Sequence, residues 1–230
     1  MVLVPGLGLD ERSSAFLRAD LARGGADGAG PVRTDVVLLP GMGRRAPVPA
    51  LPELAARLRA RLGEGPVVLV AHSQGCQVAC LAAADPRVAA LVLLGPTTDP
   101  RLRRPAVLAA RWVATALGEP PGHVPRILAQ WARTGPRAMR ALWRRASPDR
   151  TDHRLAGVGR PVVVVRGSRD RLCPGDWAAR LAAVAPRGRL VELPGAAHMT
   201  VQSRPWEVAR LLRELLPEVE GHGSPADLPA

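Results

Sequence analysis

One serine in the chain lies in a pattern that is typical of catalytic nucleophiles. Residues 66–80 read PVVLVAHSQGCQVAC, in which an apolar run ends at Ala71 and is followed by Ser73 and Gly75. A sharp strand-to-helix turn at small-x-Ser-x-Gly holds the serine in a strained conformation and exposes its hydroxyl. Small residues are required at Ala71 and Gly75 because the two backbones pass close together there. The pattern predicts a nucleophile, with Ala71 where Gly is commoner.

A nucleophilic serine needs a base, and the base needs a group that orients it. Because a neutral hydroxyl attacks poorly, an imidazole must accept its proton and a carboxylate must hold the imidazole. In an open parallel sheet the carboxyl ends of the strands share one edge, so catalytic groups should follow strands. Asp170 follows the apolar segment 161–166, and His198 follows the segment 189–193. The chain order of serine, acid and histidine predicts Ser73, Asp170 and His198 as catalytic residues.

Short apolar segments alternate with helical patterns over most of the chain. The predicted strands are residues 2–4, 35–39, 66–70, 90–94, 161–166 and 189–193. The predicted helices between and after them are residues 13–23, 51–62, 74–84, 177–185 and 205–216. Several strands are apolar throughout, as expected for strands that are buried on both faces. The alternation predicts an α/β fold, with a mainly parallel sheet of about six strands flanked by helices.

Residues 97–159 interrupt this alternation, because their pattern contains no strand. Helical patterns at 107–117, 124–133 and 137–145 predict a helical cap, inserted after the fourth strand and lying over the carboxyl edge of the sheet. The predicted core is then residues 1–96 and 160–216, and residues 217–230 are predicted to be a disordered tail. For the large aromatic side chains of the cap we favour packing over substrate contact, since they dominate apolar burial; these are Trp112, Trp131 and Trp143.

The motifs together resemble those of the α/β-hydrolase superfamily, and more narrowly those of small bacterial serine hydrolases. The resemblance covers residues 2 to about 216, and it rests on AHSQG, on GSRD with a proline four residues later, on GAAH, and on GPT at 95–97. It implies Ser73 as nucleophile, His198 as general base and acid, and Asp170 as the carboxylate that orients His198. It implies no cofactor.

The resemblance also implies an oxyanion hole that is made of two backbone N–H groups. One belongs to Gln74, which follows the nucleophile at a helix N-terminus. The other belongs to the loop at residues 5–8, where the family has His-Gly followed by the donor residue, and this alignment points to Leu7. Pro5 stands in place of the family's histidine and leaves the glycine turn intact.

Other polar residues are weaker candidates. Asp99 follows the segment 90–94 and is the alternative acid, because some members of the family take the carboxylate from that strand end. His72 precedes the nucleophile, and we expect its side chain to point away from Ser73 in a structural role. The remaining histidines lie in the cap, the linker and the tail, and are expected at the surface: His123, His153 and His222.

The chain departs from the family at its beginning. It opens in what would be the third family strand, so two N-terminal strands are missing. The segment 35–39, DVVLL, would then be an edge strand that is apolar and has little protective charge. Exposed apolar edges pair with other chains. We therefore expect either a homodimer through this edge or upstream strands that a misassigned start codon has removed.

The composition favours one sizeable domain and limits the partners. The chain has 230 residues, 47% of them hydrophobic, and no apolar run near the roughly 20 residues of a membrane span. The net charge is +12, but the arginines are scattered, lysine is absent and aromatics are few, so no nucleic-acid partner is expected. Three cysteines are too few for a disulfide framework, and no ligand cluster surrounds them. Without a visible secretory signal, these features predict a cytoplasmic protein with no metal and no membrane partner.

The predicted function is a serine hydrolase that cleaves an ester, thioester or lactone of a small molecule through an acyl-enzyme on Ser73. Two alternatives stay open. The cap is rich in arginine, and an inward-pointing arginine would hold a substrate carboxylate, as suits a carbon–carbon bond hydrolase acting on a dienoic acid. The fold also hosts proteins without catalytic activity, so the chain could bind a small molecule without cleaving it.

Overall fold

The computed structural model describes residues 1–25 and 29–220. The strands in these residues are β1 (Val2–Val4), β2 (Asp35–Val36), β3 (Leu39–Pro40), β4 (Gly43–Arg44), β5 (Val67–His72), β6 (Val88–Leu94), β7 (Val162–Gly167) and β8 (Gly188–Leu193). The α-helices are α1 (Ala15–Arg23), α2 (Leu51–Arg59), α3 (Gly75–Ala82), α4 (Pro105–Ala116), α5 (His123–Thr134), α6 (Pro136–Ala146), α7 (Thr151–Leu155), α8 (Gly175–Val184), α9 (Thr200–Ser203) and α10 (Pro205–Glu220). Two short 3₁₀ helices cover Glu11–Ser14 and Pro100–Arg103.

Six of the strands form one sheet in the order β2-β1-β5-β6-β7-β8, and every neighbouring pair is parallel. The predicted α/β fold with a parallel sheet of about six strands is therefore confirmed. In this register Ala71 of β5 pairs with Leu93 of β6, and Leu94 pairs with Val165 of β7. The carboxyl ends of the central strands consequently lie along the same edge of the sheet, where the loops that follow them meet.

Successive residues of the central strands point to opposite faces, and both faces are buried. Leu69 and Leu91 belong to a cluster that includes side chains of α2, α3 and α8. Val70 and Val92 belong to a second cluster, which includes side chains of α1 and α10. This two-sided burial is the reason why the strands are apolar throughout and show no alternation with polar residues.

The edge of the sheet is shorter than predicted. The segment 35–39 divides, because β2 ends at Val36 and the chain then turns away to form β3, where the Leu39 N–H donates to the carbonyl of Met42. Val37 and Leu39 are both buried. We predicted a homodimer because the sequence suggested a long exposed apolar edge strand. In the structure only two residues of this segment pair with β1. A homodimer stays a prediction without that support.

Four helices, α4 to α7, lie between β6 and β7, and we call residues 100–155 the helical insert. Residues 95–161 are all described and contain no strand. Within the insert, α5 packs against α6, whereas α7 packs against α3 and α8 of the sheet layer. The sequence did not predict α7 or α9, because helices of five and four residues are too short to show a periodic pattern.

The last helix extends beyond its predicted end. We placed the start of a disordered tail at residue 217, from the terminal position of the segment and its small and polar residues. In the structure α10 continues through Pro217 to Glu220. The rest of the predicted tail, residues 221–230, lies outside the described residues. None of the helices among the described residues combines the length and the apolar character that crossing a membrane requires.

Candidate active site

Ser73 lies in the tight turn between β5 and α3. Its φ is 53°, the only positive φ at a non-glycine position in the described residues. This region is unfavourable for a residue with a Cβ atom, and the turn is held by hydrogen bonds from the Ser73 N–H to Leu94 and from the Cys76 N–H to Ser73. A Cβ atom at Gly75 would lie 2.5 Å from the carbonyl oxygen of Pro5, so the helix can approach β1 only because position 75 is glycine. The strained turn is present as predicted.

The three residues predicted from their positions after strands are in contact. His198 Nε2 lies 3.0 Å from Ser73 Oγ, and His198 Nδ1 lies 2.7 Å from Asp170 Oδ2. All three side chains are buried. A carboxylate only accepts hydrogen bonds, so the Nδ1–H of His198 donates to Asp170, and Nε2 is left to accept the hydroxyl proton of Ser73.

The charges at this site favour a basic imidazole. Burial alone would lower the pKa of His198, but the charge and hydrogen bond of Asp170, with a smaller contribution from Glu119, raise the pKa above its ordinary value of 6.5. Burial alone would raise the pKa of Asp170, but His198 and the backbone N–H groups of Leu172 and Cys173 hold it below its ordinary value. Asp170 is therefore ionised next to the imidazole.

The loops that carry Asp170 and His198 are fastened to each other. The N–H of Arg169 donates to the carbonyl of Ala196, and the N–H of Gly195 donates to the hydroxyl of Ser168. The buried Arg166 also holds the first of these loops, with hydrogen bonds to the carbonyls of Cys173, Ser168 and Asp170 and an ion pair with Glu192. Arg166 is not among the residues predicted from the sequence, although an arginine at the end of a valine-rich strand is a visible signal.

The two predicted oxyanion donors lie at the same cavity as Ser73. Leu7 and Gln74 both line this cavity, and neither of their backbone N–H groups has a hydrogen-bond acceptor among the described residues. Gln74 directly precedes α3, so its N–H lies at the positive end of the helix dipole. A pair of free N–H groups beside a nucleophile is the arrangement that receives a developing oxyanion.

The loop that contains Leu7 is held by the helical insert. The indole N–H of Trp131 donates to the carbonyl of Leu7 at 3.1 Å, and the hydroxyl of Thr134 donates to the carbonyl of Gly8 at 2.9 Å. The Gly8 N–H also donates to the carbonyl of Gly41. The position of the candidate donor at Leu7 therefore depends on contacts with α5.

His72 does not lie apart from the site. We expected a structural role for it, and its ring centroid lies 4.9 Å from that of His198. His72 Nε2 is 3.1 Å from the carbonyl oxygen of His198, so Nε2–H is the donor. Burial, with the nearby His198, lowers the pKa of His72 to about 3, and the ring stays neutral. Its structural role is to hold the backbone of His198.

The alternative acid, Asp99, is engaged elsewhere. Its carboxylate binds the guanidinium of Arg101 and accepts the N–H of the same residue, and it has no contact with His198. Arg101 also pairs with Asp176. His153 is 2.7 Å from the guanidinium of Arg150, away from the site, and His222 lies outside the described residues. The structure brings neither Asp99 nor His153 to Ser73.

A cavity of about 470 Å³ opens at Ser73 between the insert and the sheet edge. This volume falls within the range of small-molecule sites, which is roughly 300–1,000 Å³. Its wall is mostly apolar, and Trp112, Trp131 and Trp143 all line it, while Trp112 and Trp131 also pack against each other. Our preference for packing over substrate contact stays a prediction for these tryptophans. No arginine of the described residues lines the cavity. Among the described residues that line the cavity, Glu119 is the one Asp or Glu, and it is not among the residues predicted from the sequence.

The three cysteines lie in the interior, and the acidic, histidine and cysteine side chains form no metal cluster in the described part of the chain. Among the described residues, no group of three or more His, Cys, Asp or Glu side chains is arranged to hold a metal ion. The three cysteines are free and buried, as expected for small apolar residues. Burial raises the pKa of Cys80 to about 12, so its thiol stays protonated at neutral pH.

The fold is shared with solved structures of esterases. The chain is similar to a thermophilic esterase at 19% identity and a TM-score of 0.74, covering 95% of this chain and 89% of that chain. It is similar to an esterase from Thermogutta terrifontis at 23% identity and a TM-score of 0.69, covering 95% and 89%. It is also similar to an N-acyl homoserine lactone degrading enzyme at 17% identity and a TM-score of 0.72, covering 94% and 92%. These similarities establish the fold.

No curated protein sequence matches the chain. A model described as the alpha/beta hydrolase family matches residues 1–211. Because this match covers nearly the whole chain, the protein belongs to the alpha/beta hydrolase family.

Proposed function

We propose that the protein is a serine carboxylic ester hydrolase that acts on an uncharged, largely apolar ester, thioester or lactone. The single observation that carries this proposal is the contact series from Ser73 through His198 to Asp170, at 3.0 and 2.7 Å, on the wall of an apolar cavity. Hydroxyl, imidazole and carboxylate in this order form the arrangement that activates a serine for acyl transfer. The proposal is supported by membership of the alpha/beta hydrolase family.

The first half of the reaction transfers the acyl group to the enzyme. Ser73 Oγ attacks the carbonyl carbon while His198 Nε2 accepts the hydroxyl proton. The negative charge that develops on the carbonyl oxygen is received by the N–H groups of Gln74 and Leu7. When the tetrahedral intermediate collapses, the bond to the leaving group breaks, and His198 gives its proton to the departing alcohol or thiol. Asp170 stabilises the imidazolium that exists between these two proton transfers.

The second half releases the acid by the same groups in reverse roles. Water takes the place of the leaving group, and His198 Nε2 accepts one of its protons as it attacks the ester carbonyl of the acyl-enzyme. The second tetrahedral intermediate expels Ser73 Oγ, which recovers its proton from His198. The products are a carboxylic acid and the free enzyme, so the cycle consumes only water.

The cavity wall supports the proposed substrate class. Apolar side chains of α4, α5 and α6 form most of the wall, and it contains no arginine that would pair with a substrate carboxylate. Glu119 would repel such a group. These features favour an uncharged acyl chain over the dienoic acid of a carbon–carbon bond hydrolase. The esterases and the lactone-degrading enzyme among the similar structures fit this class.

A fluorophosphonate probe tests the nucleophile, because it forms a covalent bond only with an activated serine. We expect the wild type to be labelled at Ser73 and Ser73→Ala to remain unlabelled, with a loss of esterase activity of about 10⁴-fold or more. Ser14→Ala is the matched control, since the Ser14 hydroxyl is buried, donates to the carbonyl of Glu11 and is not part of the cavity wall. It should be labelled like the wild type. A folded wild type that the probe does not modify would identify a binding protein without catalysis.

A panel of p-nitrophenyl esters tests the substrate class. Each CH₂ that enters the apolar cavity contributes about 0.8 kcal/mol, so kcat/KM should rise about fourfold per added carbon until the cavity is full. The p-nitrophenyl monoester of succinic acid should react more slowly than the pentanoate ester of similar length. Faster cleavage of the succinate ester would favour a carboxylate-binding site and contradict the proposed class.

A further inference from the structure

Glu119 has surroundings that its sequence position does not explain. It is the only Asp or Glu between Asp99 and Asp149, and the other charged side chains in that stretch are arginines. It follows α4, is 7% exposed and lies in the wall of the active-site cavity. Its Oε1 accepts the backbone N–H of Met199 at 2.7 Å, directly after the proposed catalytic base His198. The insert thus contacts the histidine loop through one buried carboxyl group.

A neutral acceptor would serve as a simple anchor for the Met199 N–H, and it would be less costly to bury. Glu119 Oε2 is buried and has no hydrogen-bond partner among the described residues. A buried carboxylate with an unpaired oxygen is unfavourable unless a positive charge lies nearby. Burial accordingly raises the pKa of Glu119, whereas the Met199 N–H and the His198 imidazole oppose this effect. The group that can offset the burial of this charge is the imidazolium of His198.

We propose that Glu119 is a positioning residue, which fixes the backbone beside His198 and places a second negative charge near its imidazole. This inference rests on the proposed function, in which His198 becomes positively charged in each half-reaction. Asp170 stabilises that charge from the Nδ1 side, and Glu119 adds to it from the insert. The insert is then part of the electrostatic environment of the base as well as a wall of the cavity.

Few other charges act on this imidazole. His72, from β5, packs against the ring of His198 but is neutral, with a pKa of about 3. Arg169 and Arg171 flank Asp170 in the loop after β7, and both are exposed, so water screens them. Asp170 and Glu119 are therefore the two groups whose charge raises the pKa of His198 against its burial. Removing either charge should make the imidazole less basic.

Glu119→Gln separates charge from position, because the amide oxygen still accepts the Met199 N–H. The direct measurement is the titration of the His198 ring by NMR, assigned with His198→Asn, which needs no substrate and no turnover. We expect the pKa of His198 to fall by about 0.5–1 unit in Glu119→Gln. The acid limb of kcat/KM should move to lower pH by the same amount, and kcat/KM above the limb should fall about 3- to 10-fold. An unchanged or increased pKa of His198 would overturn the charge role.

Glu119→Ala removes the anchor as well as the charge. It should lower kcat more than Glu119→Gln does, and equal kcat values in the two variants would overturn the positioning role. Thr115→Val is the matched control, because the Thr115 hydroxyl joins α4 to the core by accepting the backbone N–H of Arg171 at 3.1 Å and carries no charge. In Thr115→Val the pKa of His198 should equal the pKa of His198 in the wild type. An equal shift in Thr115→Val would assign the effect to loosening of the insert and overturn the inference.

The two proposals fail in different ways. A wild type that the fluorophosphonate probe does not modify overturns the proposed function, whatever the histidine titration shows. A wild type that is labelled, with the same pKa of His198 in Glu119→Gln, overturns only the role of Glu119.

Discussion

Trp131→Phe should slow the chemical step, although residue 131 is not a predicted catalytic group. The indole N–H donates to the carbonyl of Leu7, and the N–H of Leu7 is one of the two proposed oxyanion donors. Phenylalanine keeps an aromatic ring in the cavity wall but has no donor. The carbonyl of Leu7 then loses its partner, and the donor loop is free to shift away from the position that the oxyanion requires.

The size of the effect is bounded by the contacts that remain. Removing an oxyanion donor altogether lowers kcat about 10²- to 10³-fold. The loop of Leu7 keeps its hydrogen bonds from Gly8 to Gly41 and from Thr134 to Gly8, so the donor is displaced but not lost. One hydrogen bond is worth about 0.5–1.5 kcal/mol, and if this appears in the transition state kcat falls about 2- to 12-fold. The free energy of unfolding should fall by about 1–2 kcal/mol.

Trp112→Phe is the matched control for this experiment. The ring of Trp112 lies 5.2 Å from that of Trp131, lines the same cavity, and its N–H has no acceptor among the described residues. The assay is steady-state hydrolysis of one p-nitrophenyl ester, with kcat and KM determined for both variants and the wild type. We expect Trp112→Phe to change mainly KM. A kcat of Trp131→Phe within twofold of the wild type, or an equal loss in Trp112→Phe, would refute the link between the indole and the oxyanion site.

The structure makes three further predictions. Because His198 must be neutral to accept the serine proton and its pKa is raised, kcat/KM should fall tenfold per pH unit below a midpoint that lies above 6.5; a pH–rate profile that is flat down to pH 6 would contradict this. Gly75→Ala should lower the free energy of unfolding in urea by about 1–3 kcal/mol, since its Cβ meets the backbone of Pro5, whereas Gly63→Ala, with open space around its Cβ, should stay within about 0.5 kcal/mol of the wild type. Arg166→Met should lower both kcat and the free energy of unfolding. The free energy of unfolding should fall by only about 1–3 kcal/mol, because Glu192 is half exposed and water offsets part of the lost ion pair. An unchanged kcat would show that the Arg166 side chain does not hold the Asp170 loop.

The sequence predicted the central sheet because each buried strand is a continuous apolar run between turn residues. It predicted Ser73, Asp170 and His198 because parallel strands end at one edge, so residues that follow different strands meet there. The predicted length of the edge strand at residues 35–39 was wrong, because that length is set by tertiary contacts. It depends on pairing with the three-residue β1 and on the turn that buries Leu39, and neither is visible in an apolar run.

The contribution of the insert was the least predictable part of the site. Helical periodicity identified α4, α5 and α6, but it does not tell which face of each helix meets the sheet edge. The same limitation hides from the sequence that Trp143 lines the cavity. Glu119 lies in the turn between the helices predicted at 107–117 and 124–133, and its proposed role depends on a loop 80 residues later. A lone acidic residue among ten arginines was the available signal.

The helical insert makes one hydrogen bond to each of two active-site loops, and this has a consequence for protein engineering. One helix fastens the loop of Leu7 through Trp131, and the turn after another fastens the loop of His198 through Glu119. Replacing the helical insert with that of another protein, to broaden the substrate range, would remove both hydrogen bonds. Such chimeras should lose turnover even with Ser73, His198 and Asp170 unchanged. An exchange that keeps activity would replace the helical insert together with the loops at residues 5–9 and 193–199.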